Sequence, residues 1–160
     1  MPKLSCAALI RLACTLCVAL AACTPSLPTA SPAPSLYSQL GGEPVIAQVV
    51  SHTIDQAARD PRTRRSFEGI KLAAVKTSLA QQICALAEGP CRYEGETMVR
   101  AHREARITAS EFDAMVGMLR RQLDAAGVDD AAKNRLLRLL APMKRDIVTD
   151  GAASSPARGG

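Results

Sequence analysis

The chain has very few large side chains. Of its 160 residues none is tryptophan, two are tyrosine and two are phenylalanine, so aromatics make up 2% of the sequence. A helical domain with so little bulk has difficulty filling its centre at the density of native protein interiors. Two solutions remain open, namely a tight alanine-rich bundle and a flat apolar cofactor between the helices. Histidine is just as scarce, with two residues in the chain.

Strong charge of one sign is absent as well. The formal net charge is +5, and Lys3 and Arg11, near the start of the chain, supply two of these positive charges. No stripe of basic and aromatic residues accompanies the others. The composition therefore argues against a nucleic-acid partner.

No hydrophobic run is long enough to span a membrane permanently. The apolar stretch 12–22 is shorter than the roughly 20 residues that a transmembrane helix requires. With two basic residues before it and small residues at its end, it predicts a secretory signal peptide over residues 1–22. Leu20-Ala21-Ala22-Cys23 resembles a bacterial lipobox, which implies cleavage before Cys23 and lipid attachment to its thiol. An ordinary signal peptide with a chance cysteine is the alternative.

The lipobox implies a protein of the cell envelope. Acyl chains on Cys23 would anchor it to a membrane without spanning it, on the periplasmic side, and Thr24 at the next position favours the outer membrane. Residues 23–34 are rich in proline, serine and threonine and predict an extended tether. Residues 150–160 form a second soft tail, which leaves 35–149 as one domain.

Two cysteines fall within that domain. Cys84 and Cys91 are seven residues apart, and in an oxidising compartment they can form a disulfide. The bond requires their Cα atoms to come within about 7 Å of each other, which the sequence alone does not decide. A bridge and two free thiols both remain open.

Helical periodicity dominates the domain, and no alternating strand pattern appears. The pattern predicts a short helix in LYSQLGG, a brief one around 98–103, and longer helices at 43–59, 71–87, 108–126 and 129–149. Thr108 and Glu111 predict a capping box at the start of the helix 108–126. Pro142 predicts a kink or break in the last helix. The fold class is therefore all-α.

The order of short motifs along the domain resembles that of the truncated hemoglobins, their first group above all. These motifs are SLYSQLGG, DPR, FEGI, GP followed by YEG, MVRAH, IT before the capped helix, and AP in the last helix. The resemblance covers Ser35 to about Val148 with few if any gaps. It implies a two-over-two globin fold, in which the helix pairs B/E and G/H enclose a non-covalently bound heme b.

The resemblance also assigns roles to particular residues. His102 falls on the proximal histidine, the axial ligand of the heme iron, and a neutral imidazole suits that role. Phe67 falls on the aromatic residue that packs against the porphyrin, and Tyr93 on a tyrosine near a heme propionate. The other residues implied to line the heme are apolar: Ile54, Val75, Leu79, Ile83, Ile107, Met115 and Ile147.

The predicted distal pocket departs from the family pattern. Where members usually carry a Phe-Tyr pair whose hydroxyl hydrogen-bonds the gas, this chain has Thr53 and Ile54. Val75 and Leu79 stand where a glutamine or other polar group often lies. We therefore expect an apolar distal pocket, unless Thr53 or Thr77 turns inward. Such a pocket suits carbon monoxide or nitric oxide better than dioxygen, which requires a hydrogen-bond donor.

Together these observations predict a lipid-anchored heme globin that binds or senses a diatomic gas (O2, NO or CO). Its partners would be heme, the gas, the membrane through the lipid anchor, and a redox partner that the sequence does not identify. No catalytic residue is predicted, although nitric oxide dioxygenase-type activity is compatible with the resemblance. The alternative is a heme-free, globin-shaped lipoprotein that acts as an interaction module in the envelope.

Overall fold

Helices account for most of the residues that the computed structural model describes, which are 33–149. The predicted signal peptide, Cys23 and the tail at 150–160 lie outside these residues. None of the described helices is both long and apolar enough to span a membrane. Within the described range, extended segments pair only at a single parallel bridge between Ile107 and Val148. The predicted all-α class is therefore confirmed.

The first two helices meet at a pair of glycines. α1 spans Leu36–Gln39 and is capped by the side chain of Ser35, which accepts a hydrogen bond from a backbone amide in the first turn. α2 spans Gly42–Ala57. Gly41 between them has a φ of 87°, which glycine adopts without strain. A Cβ here would lie 2.5 Å from Cγ2 of Val45, so the turn into α2 requires glycine.

The middle of the chain alternates short helices with irregular segments. A 3-10 turn at Arg64–Phe67 lies between the helices predicted at 43–59 and 71–87. α3 spans Leu72–Leu86, close to its predicted bounds. After the irregular segment 88–97, α4 spans only Met98–His102. Thr97 caps it, because its side chain accepts a hydrogen bond from a backbone amide in the first turn.

The predicted capping box is confirmed at the start of α5, which spans Ala109–Ala125. The Thr108 side chain accepts from the Glu111 amide at 3.2 Å, and the Glu111 carboxylate accepts from the Thr108 amide at 2.9 Å. Two amides that a helix start leaves without partners are thereby satisfied. Such caps contribute about 1 kcal/mol each to stability.

The predicted interruption at Pro142 is also confirmed. α6 spans Asp130–Leu140, and a 3-10 turn at Ala141–Met143 separates it from α7, Lys144–Ile147. Proline has no amide proton to donate, and its ring obstructs the carbonyl one turn earlier. The last predicted helix is therefore two helices.

α2 is central to the packing, because it contacts α3 along one side and α5 along another. Its residues Ile46, Val50 and Ile54 are almost fully covered. They join a core to which α1, α3, α5 and α6 also contribute, with Leu36, Ile83, Leu119, Leu123, Ala132 and Leu136 among its members. Burying a large aliphatic side chain stabilises a fold by about 1.5–3 kcal/mol.

A disulfide joins Cys84 in α3 to Cys91 in the segment that follows, with their Cα atoms 5.7 Å apart. Of the two alternatives that the sequence leaves open, the structure contains the bridge. Gly89 lies against it, because a Cβ on Gly89 would be 2.7 Å from Cys84 Sγ and 2.5 Å from Tyr37 Cδ2. The turn that follows α3 therefore requires glycine at position 89.

Candidate functional site

A cavity of about 270 Å³ lies among residues of α2, α3, α4, α5 and α7. Most of its wall is apolar. Seven of the residues that the sequence assigns to a heme pocket are brought together there, although they come from separate parts of the chain: Phe67, Val75, Leu79, His102, Ile107, Met115 and Ile147. The same wall also includes Met98, Phe112, Leu119 and Met143.

One hydrogen bond fixes the ring of His102 on this wall. Its Nδ1 lies 3.0 Å from the carbonyl oxygen of Met98, four residues earlier in the same helix. A carbonyl oxygen only accepts, so Nδ1 carries the proton and donates, and the lone pair of the neutral imidazole lies on Nε2. Histidines that ligate metals are usually oriented in this way through their other nitrogen. His102 is thus prepared to coordinate a metal through Nε2.

Two of the assigned apolar residues do not line the cavity. Ile54 and Ile83 are buried in the core, and the residue before each of them, Thr53 or Gln82, lies on the cavity wall. Successive residues in an α-helix point about 100° apart. Because α2 and α3 each pack against more than one helix, apolarity marks the core face as strongly as the cavity face.

Tyr93 does not line the cavity either. It lies in the irregular segment 88–97, where its hydroxyl donates to the backbone carbonyl of Glu96 at 2.9 Å. Its ring covers Gly95, since a Cβ on that glycine would lie 2.4 Å from the Tyr93 hydroxyl oxygen. The tyrosine therefore closes a local turn.

The cavity wall is less uniformly apolar than the sequence predicts. Thr53, Thr63 and Ser66 lie on it. Their hydroxyls already donate to protein acceptors, which are the carbonyl of Val49 at 2.7 Å, the carbonyl of Ala57 at 2.6 Å and the Glu111 carboxylate at 2.9 Å. Thr77 is exposed and donates to its own helix. Of the two threonines flagged by the sequence, Thr53 is the one that turns inward.

Gln82 is a polar wall residue that the sequence analysis missed. It is 9% exposed, and its amide donates to the sulfur atoms of Met98 at 3.5 Å and Met143 at 3.6 Å. Thioether sulfur is a weak acceptor. Its position could have been found from helical spacing, because Val75, Leu79 and Gln82 follow one another at four- and three-residue steps on one face.

A carboxylate network closes the wall beside α5. The Glu111 side chain is 8% exposed, and it accepts hydrogen bonds from Arg65, Ser66 and the capping residue Thr108. Burial by itself raises the pKa of Glu111, but the hydrogen bonds from Thr108, Arg65 and Ser66 outweigh it and lower the pKa to about 2. The network therefore holds an ionised carboxylate and connects the 3-10 turn at Arg64–Phe67 to the start of α5.

The cavity opens to solvent between α4 and the segment that follows the 3-10 turn at Arg64–Phe67. Ile70 and Ala101 both line it and are both exposed, Ile70 to 48%. On the outer surface of α4, Arg100 pairs with Glu96 at 2.9 Å. The second histidine, His52, is exposed on α2 and lies outside the cavity wall.

The family described as "Bacterial-like globin" matches residues 35–149. Among similar proteins are two described as group 1 truncated hemoglobin GlbN. That of Mycolicibacterium paratuberculosis is 29% identical over 74% of this chain and 87% of its own length. That of Nostoc commune is 27% identical over 71% of this chain and 97% of its own.

Solved structures show the same fold. The truncated hemoglobin of Tetrahymena pyriformis in its Fe(III) form superposes with a TM-score of 0.68 at 24% identity, over 72% of this chain and 98% of that one. The hemoglobin of Chloroflexus aurantiacus gives a TM-score of 0.63 at 23% identity, over 72% and 99%. The predicted two-over-two globin fold is thus confirmed, and this chain belongs to the bacterial-like globin family.

Proposed function

We propose that this chain binds heme at His102 and a diatomic gas at the heme iron, and that it does so at the cell envelope. The observation that carries the proposal is the hydrogen bond from His102 Nδ1 to the Met98 carbonyl. In the neutral imidazole this bond leaves the lone pair of Nε2 for a metal, in a residue that lines an apolar cavity. Heme is the cofactor of the truncated hemoglobins that this chain resembles.

The residues of the cavity fit such a cofactor. An imidazole with a free Nε2 is a suitable axial ligand for heme iron. Phe67, Met115 and Ile107 provide apolar surface for the porphyrin, and the exposed mouth at Ile70 gives its polar edge a way to solvent. When bound, heme would supply an iron that can bind a diatomic gas. A filled cavity also resolves the shortage of bulky side chains in the sequence.

The hydrogen bonds of the wall indicate which gas is preferred. Dioxygen is retained by a donor that stabilises its negative charge, whereas carbon monoxide and nitric oxide depend less on one. The hydroxyls of Thr53, Thr63 and Ser66 already donate to protein acceptors, the Gln82 amide is turned to the sulfur atoms of Met98 and Met143, and Glu111 is ionised. The described wall therefore favours carbon monoxide or nitric oxide over stored dioxygen. Nitric oxide dioxygenase-type activity requires retained dioxygen and is the less favoured role.

The envelope location is supported by two features of the chain. The lipobox-like residues before Cys23 lead to lipid attachment there, on the periplasmic side and with the outer membrane favoured by Thr24. The Cys84–Cys91 disulfide suits an oxidising compartment. A Cys23→Ser variant tests the anchor, because it should leave the membrane fraction and lose incorporation of labelled palmitate. If the variant keeps its membrane association and its palmitate label, the lipid anchor at Cys23 is refuted and the heme proposal is unaffected.

Hemin titration of the full-length chain in detergent tests the heme site. We expect a 1:1 Soret band that His102→Ala loses or shifts and that the matched control His52→Ala retains. If the wild type and both variants give the same spectrum, His102 is not the ligand of the heme iron. If no variant binds hemin in a defined ratio, the heme proposal fails and a heme-free interaction module of the envelope takes its place.

A further inference from the structure

We propose that the C-terminal half of α3 positions His102 through two links to the segment 91–98, and that heme held at His102 is lost faster when the first link is broken. The first link is the Cys84–Cys91 disulfide, and the second is the contact between the Gln82 amide and the Met98 sulfur. The effect on heme rests on the proposed function, whereas the effect on the position of α4 does not.

The segment between α3 and α4 has little else to hold it. Every hydrogen bond and ion pair described for residues 90–97 joins them to one another or to the first residues of α4, such as the bonds Tyr93–Glu96 and Glu96–Arg100. No backbone bond in the described chain ties these residues to another helix. Connections to α3 therefore decide where the segment lies.

The disulfide provides the covalent connection. Cys84 is 3% exposed in the C-terminal half of α3, where its sulfur lies beside Gly89. Cys91 follows seven residues later and is fixed to it by the bridge. The start of the irregular segment is thus held on the core, and its remaining freedom lies between Cys91 and α4.

The amide provides the second connection, at the other end of the segment. Gln82 Nε2 lies 3.5 Å from Sδ of Met98, and the carbonyl of Met98 accepts the proton of His102 Nδ1 at 3.0 Å. Movement of Met98 therefore changes the orientation of the imidazole directly. Because sulfur accepts hydrogen bonds weakly, this link alone holds the segment less firmly than the disulfide.

α4 cannot fix its own position. It has five residues, and helices shorter than about 12–15 residues are marginal in water without tertiary support. Its principal helix neighbour in the described chain is α7. α7 supports α4 itself, whereas the disulfide and the Gln82 amide join the segment before α4 and its first residue, Met98, to the longer helix α3. α3 thus adds rigidity that α7 does not supply, and α4 carries the ligand.

A dithiol reductant would break the first link. The S–S bond is cleaved, Cys84 and Cys91 each gain one electron and one proton, and the dithiol becomes a disulfide. The wider consequence is that heme retention would be greatest in the oxidising compartment where the lipobox directs the chain.

The test uses the full-length chain in detergent with two variants. Cys91→Ser leaves the buried Cys84 thiol in its place, and Cys84→Ala/Cys91→Ala removes both sulfurs. In the heme-free proteins, hydrogen exchange should accelerate in peptides covering 91–105 and remain unchanged in α2. In the hemin-loaded proteins, heme transfer to excess apomyoglobin should become about ten- to a hundredfold faster, the range typical of lost outer-shell support.

The iron–histidine stretching frequency of the ferrous form, measured by resonance Raman, should also fall. Greater mobility confined to residues 91–97 would leave this frequency unchanged. Dithiothreitol should reproduce these changes in the wild type and add nothing in the double variant. Unchanged exchange in 91–105 overturns the proposal whether or not the chain binds heme. Accelerated exchange with unchanged heme loss and iron–histidine frequency also overturns it, while leaving the proposed heme function intact.

Discussion

Arg65 and Glu111 form an ion pair across 46 residues of sequence, with Arg65 Nη2 2.7 Å from both carboxylate oxygens. The same guanidinium donates to the carbonyl of Arg106 at 3.1 Å. The Arg65 side chain thereby joins the 3-10 turn at Arg64–Phe67 to the segment after α4 and to the start of α5.

Glu111→Gln should lower the free energy of unfolding by about 1–2 kcal/mol, because it removes the charge from a cap and from a largely buried hydrogen-bond network. Urea titration followed by far-UV circular dichroism measures this. Glu104→Gln is the matched control, since its partner Arg103 and Glu104 itself are both largely exposed and such pairs contribute little. Equal effects of the two substitutions would contradict the importance of the network.

The contribution of Glu111 should also depend on pH. Its pKa is about 2 in the folded protein, below its ordinary 4.5, so the stabilisation is fully present above pH 4.5 and is lost as pH falls towards 2. The stability difference between the wild type and Glu111→Gln should therefore shrink over that range. Urea titrations at several pH values provide the measurement. A difference that stays constant below pH 4 would refute a lowered pKa.

Two glycines should respond in opposite directions to the same substitution. Gly89→Ala should destabilise the chain by about 1–3 kcal/mol, the usual cost of overpacking, because its Cβ would meet Tyr37 and Cys84 below 3 Å. Gly117→Ala in α5 should stabilise by about 0.5–1 kcal/mol, since its Cβ meets only Arg121 at 3.5 Å. Thermal unfolding distinguishes these signs, and the same sign for both would contradict the packing around Gly89.

Leu79→Gln should place a second amide on the cavity wall, in addition to that of Gln82, which is turned to the sulfur atoms of Met98 and Met143. We expect dioxygen release from the heme-loaded chain to slow about tenfold, corresponding to one hydrogen bond of about 1.4 kcal/mol. Carbon monoxide release should change much less. Stopped-flow ligand displacement measures both rates, with Leu79→Met as the control for shape. Equal slowing of both gases in both variants would point to a steric effect and against a missing donor.

Gln82→Leu should separate stability from heme retention. The buried amide has only weak sulfur acceptors, so an apolar side chain of similar size should raise the stability of the heme-free chain by up to about 1 kcal/mol. Heme loss should nevertheless accelerate, because Met98 loses its contact with α3. Urea unfolding and transfer to apomyoglobin measure the two effects. A loss of stability together with unchanged heme loss would contradict this role for Gln82.

Features that depend on nearby residues could be predicted from the sequence. The capping box of Thr108 and Glu111 spans three residues, and the break at Pro142 follows from the chemistry of one. The assignment of His102 came from the resemblance to truncated hemoglobins, and the structure places it on the cavity wall with its Nδ1 occupied. All three depend on short-range chemistry or on a short motif.

Features that depend on tertiary contacts could not be predicted. The contact of Arg65 with Glu111 has no local signal, since exposed arginines are common in loops. Ile54 and Ile83 are assigned to the cavity but lie in the core, because apolarity indicates burial without indicating which buried face. On a helix packed against two neighbours, adjacent residues can face the core and the cavity.

The bond between Thr149 and Ile107 has a consequence for biogenesis. The Thr149 amide donates to the Ile107 carbonyl at 3.0 Å, and both Ile107 and Ile147 belong to the cavity wall. A nascent chain still in transit through a membrane lacks this closing contact, so its cavity is incomplete until residue 149 has emerged. For the envelope location that we propose, loading with cofactor therefore follows translocation of the domain, and the cofactor reaches the protein on the far side by a separate route.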